Sequence, residues 1–119
     1  MRKEEPDLKT LTKEWALRGI RLFGSLPKTT TAQVLGKQLL RSGTSVGANY
    51  REAHRARSKA EFIAKCGDSL RELKESAYWL ELLVDGQIVP SLKLQPLQTE
   101  CGELTAIFVT LIKRAREAA

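Results

Sequence analysis

The chain has 119 residues, 42% of them hydrophobic and 29% charged, with a net charge of +6 and a pI near 9.6. That length fits one domain with a real core and much leftover apolar surface, and the longest apolar-dominated runs, 78–84 and 106–112, are far too short to cross a bilayer. With no signal-peptide pattern at the start, the expectation is a cytoplasmic, non-membrane protein whose basic balance favours acidic partners.

Four segments have helical period, and none alternates like a strand. The first, about 8–26, places Leu8, Leu11, Trp15, Leu22 and Leu26 on one face, interrupted by Arg18, and stops at Pro27. The second, about 30–54, opens on Thr29, Thr30 and Thr31, which supply N-cap candidates. Its seam is Ala32, Leu35, Leu39, Ser42, Val46, Tyr50 and Ala53. The third, about 58–85, begins at Ser58, with Glu61 at capping-box spacing. It carries Phe62, Cys66, Leu70, Leu73, Ala77, Leu80 and Val84 and ends at Asp85-Gly86, with Gly86 expected at C′. The fourth, about 92–117, starts between Ser91 and Pro96 and carries Leu97, Cys101, Leu104, Phe108, Leu111 and Ala115. Glu100 and Glu103 lie early in it and Lys113, Arg114 and Arg116 late, which suits the helix dipole. Four amphipathic segments with short connections predict an all-α fold, an antiparallel up-and-down four-helix bundle in a single domain.

Gly36, Gly43 and Gly47 each cost the second helix roughly 1 kcal/mol relative to alanine. With Ser42, Ser45 and Ala48 they make it thin, which predicts close approach by a neighbouring helix; a kink near Gly43 is the alternative. Residues 78–84 and 106–112 are apolar around most of their helices, more than the single stripe a monomer needs. Unless a loop or the N-terminal segment covers them, another subunit must. The expectation is a homo-oligomer with Trp79, Leu83, Ile107 and Val109 at its interface.

From Lys37 to Lys65 there are seven basic residues and two acidic; from Cys66 to Thr110 there are three basic and seven acidic. Charge is therefore polarised along the bundle. Arg51, Arg55, Arg57 and Lys59, with His54 among them, crowd the junction of the second and third helices, and Arg41 and Lys65 flank them. Arginine forks match phosphate oxygens, and such contacts give salt-sensitive, sequence-independent binding. These six cations are the candidate nucleic-acid contacts, although no aromatic stacking ladder or Cys-His knuckle accompanies them. The competing reading is a solvated corner paired with Glu52 and Glu61. Arg41 and Glu52 lie about three turns apart, so they are expected to reach neighbouring helices or subunits.

Catalysis lacks its parts. One histidine cannot supply the two Glu-x-x-His motifs of a di-iron bundle. Cys66 and Cys101 with one distant histidine do not make a zinc site; they read as small buried hydrophobes. Arg51 and His54 are too close in sequence for the Arg–His pair of helical ribonucleases, and phosphate-loop and nucleophile-elbow motifs are missing. No enzymatic activity, cofactor or metal is expected.

The run Gln38-Leu39-Leu40-Arg41-Ser42, then Ser45-Val46-Gly47-Ala48-Asn49, Glu52, Arg55, Ser58, Glu61-Phe62 and Lys65, resembles the four-helix-bundle proteins encoded in intervening sequences of bacterial 23S ribosomal RNA genes. Residues 75–83, ESAYWLELL, resemble a variant of the same family. The similarity spans about residues 11–115. The family often places glycine after the helix-two glutamate; Ala53 stands there, which removes the basis for a sharp glycine-mediated helix end. The resemblance implies a left-handed bundle, a homopentamer with a central channel and no enzymatic activity. It also implies kinship with the accessory variability determinant of diversity-generating retroelements, a basic pentameric bundle that binds nucleic acid and a reverse transcriptase. Two functional readings follow: an oligomer that grips RNA or DNA through basic corners, or a protein-interaction scaffold for a nucleic-acid enzyme such as a reverse transcriptase.

Overall fold

The computed structural model describes residues 7–118. Its described residues form four helices and no strand: α1 (Leu8–Ser25), α2 (Thr30–Ala53), α3 (Lys59–Asp85) and α4 (Ser91–Glu117). They pack into a body of 51 × 25 × 20 Å. Residues 1–6, part of the N-terminal segment weighed above as a cover for the apolar belts, lie outside the described ones.

Local chemistry sets the helix ends. Asp7 caps α1: its carboxylate accepts from the Thr10 N–H at 3.3 Å and the Thr10 hydroxyl at 2.7 Å. Those hydrogen bonds hold its pKa below the ordinary carboxylate value. Leu26 turns extended because proline follows it. Thr29 Oγ1 accepts from the Ala32 N–H, and Ser58 Oγ from the Glu61 N–H, as the sequence predicts. α2 ends without glycine, unwinding through bonds from the Arg55 N–H to the Glu52 carbonyl and the Ala56 N–H to the Ala53 carbonyl.

The end of α3 corrects one expectation. Gly86 has φ −79°, an ordinary value, and the left-handed residue is Gln87 at φ 60°. The Ile88 N–H reaches back to the Leu83 carbonyl and the Gln87 N–H to the Val84 carbonyl, the double closure of a Schellman motif shifted one residue on. α4 begins at Ser91, so Pro96 lies in its second turn. Its missing N–H leaves the Leu92 carbonyl without a helical partner; Leu92 is exposed, where water can serve instead.

α2 packs on both α1 and α3, α3 also on α4, and α1 meets α4 only lightly. Two of the glycines of α2, Gly36 and Gly47, provide the close approach, in a helix assigned without a break from Thr30 to Ala53. A Cβ on Gly36 would overlap Leu26 Cδ1 and come within 2.9 Å of Phe23 Cδ1; on Gly47 it would lie 3.0 Å from Thr12 Oγ1 and 3.2 Å from Thr12 Cβ. The start of α1 therefore lies against the end of α2, and the end of α1 against the start of α2. Thr12, fully buried, resolves its hydroxyl on the Leu8 carbonyl at 2.6 Å.

The interface between α2 and α3 uses hydroxyls, of which the predicted seams include Ser42 but neither Ser69 nor Ser76. Ser42 and Ser76 share a hydrogen bond at 2.7 Å, and Ser69 donates to the Val46 carbonyl at 2.8 Å, all three serines being fully buried. The buried face of α3 is thus Cys66, Ser69, Leu73, Ser76, Leu80 and Leu83, while Ala77 is exposed and Phe62, Leu70 and Val84 are half-buried. On α4, Leu94 and Ile112 join the buried face and Leu111 is half-buried.

Valine at Gly47 should cost about 1–3 kcal/mol through overpacking against Thr12. Alanine at Gly19, where a Cβ meets nothing, should stabilise by up to about 1 kcal/mol. Urea titrations should show the two midpoints moving in opposite directions.

Candidate nucleic-acid interface

The basic junction is the end of the bundle at which α1 begins, α2 ends, α3 begins and α4 ends. Two contacts establish this: Thr12 against Gly47, and Lys59, whose ammonium donates to the carbonyls of Arg116 and Ala118 at the α4 terminus. Lys59 thereby takes up orphan carbonyls of α4 and brings its last-turn cations, Arg114 and Arg116, to the same end. Arg51, Arg55 and Arg57 are exposed there. Arg51, His54 and Arg55 line a cleft with Lys9 from the first turn of α1.

The six predicted contacts do not form one group. Arg41, midway along α2, forms ion pairs with Glu72 and Glu75 of α3. The cross-helix role expected for it is met, and its guanidinium is already engaged. Lys65 is half-buried in the second turn of α3. Among the described residues the other ion pairs are Arg18–Glu100, linking α1 to α4, and Arg71–Asp68 within α3. None joins a corner cation to Glu52 or Glu61, as the competing reading required.

Sequence reasoning missed Lys9. Its signal was available, because a first helix running back along the second puts its first turn beside the end of the second. His54 is seated by the core: its ring meets Tyr50 edge-on at 4.7 Å, and Tyr50 meets Phe108 likewise at 5.6 Å.

The predicted interface residues are dispersed. Leu83 is fully buried within its own chain and offers nothing to a partner; on a helix apolar most of the way round, periodicity does not choose the inner face. Trp79 is half-buried, with its indole N–H donating to Glu75 at 3.2 Å and its ring beside exposed Tyr78. Val109 is exposed and lines a groove between α3 and α4 with Gly67 and Leu70. Ile107 is half-buried against the core. Two residues apart on a helix, it faces away from Val109.

No group of three or more metal-binding side chains occurs among the described residues. No helix of the described residues is long and apolar enough to cross a membrane. Both cysteines are buried as free thiols, and burial pushes each pKa up to about 11.

Four helices and no strand among the described residues, with cations gathered at one end, define a class, the small basic helical-bundle proteins. The family model described as 23S rRNA-intervening sequence protein matches residues 7–110, and the chain belongs to that family. It is also similar to a crystal structure, at 1.70 Å resolution, of a protein of unknown function from the S23 ribosomal protein family of Bacteroides thetaiotaomicron VPI-5482. The two share 37% sequence identity over 88% of this chain and 97% of that one, with a TM-score of 0.83. No curated protein matches the chain.

The thiols should be inert to a disulfide reagent at pH 8 in the folded chain and react promptly once urea unfolds it. Because their folded pKa values lie above the ordinary value of 9.0, the folded state holds its protons longer. The stability they contribute is complete below about pH 9 and should be lost as pH rises towards about 11, which a pH series of urea midpoints would read.

Proposed function

We propose that this protein is a non-enzymatic homo-oligomer that binds nucleic acid through the cationic end of its bundle. The observation that carries the reading is the convergence of cations from several helices: Lys9, Arg51, Arg55 and Arg57 stand at one end with Arg114 and Arg116. Three of the cations away from that end, Arg18, Arg41 and Arg71, are tied to carboxylates. Charge segregated in this way raises the local potential where a polyanion would approach.

The chain-end pairings, α1 with α2 and Lys59 with the end of α4, support an antiparallel up-and-down course. Left-handedness and a pentameric state are carried over from the family resemblance. Self-association has a physical argument of its own. Gly67 and Gly102 sit inside helices where an added Cβ would meet nothing in this chain. Each therefore costs roughly 1 kcal/mol of helix propensity with no return inside the bundle. Both line grooves between α3 and α4, beside exposed Val109 in one of them, and a closely packed sister chain would supply the return. In an oligomer, several cationic ends would share one rim. The scaffold reading, with a reverse transcriptase or similar enzyme as partner, rests on kinship alone.

Three measurements test this. Affinity for RNA or DNA should fall on the order of 50- to 150-fold between 50 and 200 mM salt for four neutralised phosphates. Reversing Arg55 and Arg57 to glutamate should abolish binding while light scattering still reports the oligomer; unchanged binding would remove the assignment. Gly102→Arg should lower the scattering mass towards that of one chain with helical circular dichroism intact, and a wild-type sample that stays monomeric at high concentration would end the assembly claim.

A further inference from the structure

We infer that Lys9, Arg51, His54 and Arg55 form a seat for a terminal phosphate of a nucleic-acid strand; this rests on the nucleic-acid reading above and assigns its anchoring point. The four side chains line a cleft of about 340 Å³ at the cationic end, and no acidic side chain lines it. Two grooves between α3 and α4 each include a glutamate in their walls, Glu81 in one and Glu117 in the other.

Helix electrostatics account for only part of the cluster. Arg51 lies in the last turn of α2, where a cation complements the negative end of the dipole. Lys9 lies in the first turn of α1, the positive end, where a cation is disfavoured and α1 places no acid. The neighbouring carboxylate, Asp7, is held by two hydrogen bonds from Thr10 and attracts Lys9 only weakly, the Lys9 charge being the least of the causes that lower its pKa. A ligand anion between α1 and α2 would offset both the misplaced Lys9 and the mutual repulsion of the cluster.

Two features select a strand end over the middle of a backbone. A terminal phosphomonoester carries nearly two negative charges at neutral pH, with three acceptor oxygens, whereas an internal diester carries one. Four donor-bearing side chains, from the first turn of α1, the last turn of α2 and the turn that follows it, match the greater charge and the greater number of acceptors. The cleft is also braced: His54 rests edge-on against Tyr50, itself against Phe108, so the α2 side of the seat is positioned before a ligand arrives.

The test uses fluorescence anisotropy on the full chain with short single strands of one sequence, bearing a phosphate or a hydroxyl at the 5′ end and, separately, at the 3′ end. A phosphorylated end should bind about tenfold more tightly, the value of one charge-assisted hydrogen bond. Lys9→Gln and Arg55→Gln should each erase that preference without lowering the melting temperature, whereas Lys93→Gln, in the first turn of α4 away from the cationic end, should leave it intact. Equal binding of phosphorylated and hydroxyl strands overturns the seat and leaves the broader nucleic-acid reading standing. No binding of any strand overturns both. Inorganic phosphate binding as tightly as the phosphorylated strand, measured by calorimetry, overturns the strand-end assignment in favour of a free-phosphate site.

Discussion

The fold depends on α2 being narrow enough for two neighbours to reach its backbone. Gly36 and Gly47 admit α1 so closely that a single added carbon would strike Phe23, Leu26 or Thr12. On its other flank, Ser42 and the Val46 carbonyl meet Ser76 and Ser69 of α3. Short side chains on both flanks replace interdigitated bulk with backbone proximity and hydrogen bonds, and these fix the axial position of each neighbour. A one-turn slide of α3 along α2 would separate both serine contacts and strand buried hydroxyls, at a cost of about 1–3 kcal/mol for each one left unpaired.

That axial register also explains the charge distribution. Because α1 and α3 are pinned to α2, the first turn of α1 and the cap of α3 arrive at one level with the end of α2. Lys59 then brings the α4 terminus to the same level by occupying its carbonyls. Four helix ends meet there, and their cations crowd together even though they are scattered in the sequence. Along the shaft, Arg41 and Arg18 are held by Glu72, Glu75 and Glu100, which lowers the free positive charge of the flanks.

Much of this was legible beforehand. Prolines, glycines and capping hydroxyls mark the ends of helices strongly, so α1, α2, α3 and α4 fall within a residue or two of their expected spans. The thinness of α2 was visible as three glycines in a row of small residues. The core face of α3 was less so, because serine is polar by composition and only a partner on another helix decides whether it is buried. Ser69 and Ser76 go inside because Val46 and Ser42 receive them, and Ala77 goes outside in exchange. Leu83 and Val84 traded places for a related reason: both are apolar, and the last turn of α3 is fixed by its closure onto Gln87 and Ile88. Within the candidate site, Arg51, Arg55 and Arg57 were found from local charge density. Lys9 was not, since its relevance exists only once two helices lie side by side.

The two tryptophans occupy contrasting surroundings. Trp15 is enclosed to within 1% of its surface, its indole N–H facing Gly43 without a hydrogen-bond partner, whereas Trp79 sits half in solvent beside Tyr78. The bundle therefore carries its own pair of optical gauges. A quencher dissolved in water meets the Trp79 ring directly but reaches Trp15 only when α1 lifts from α2, so the emission of one reports the outer wall and that of the other the seam on which the whole assembly of helices is hung.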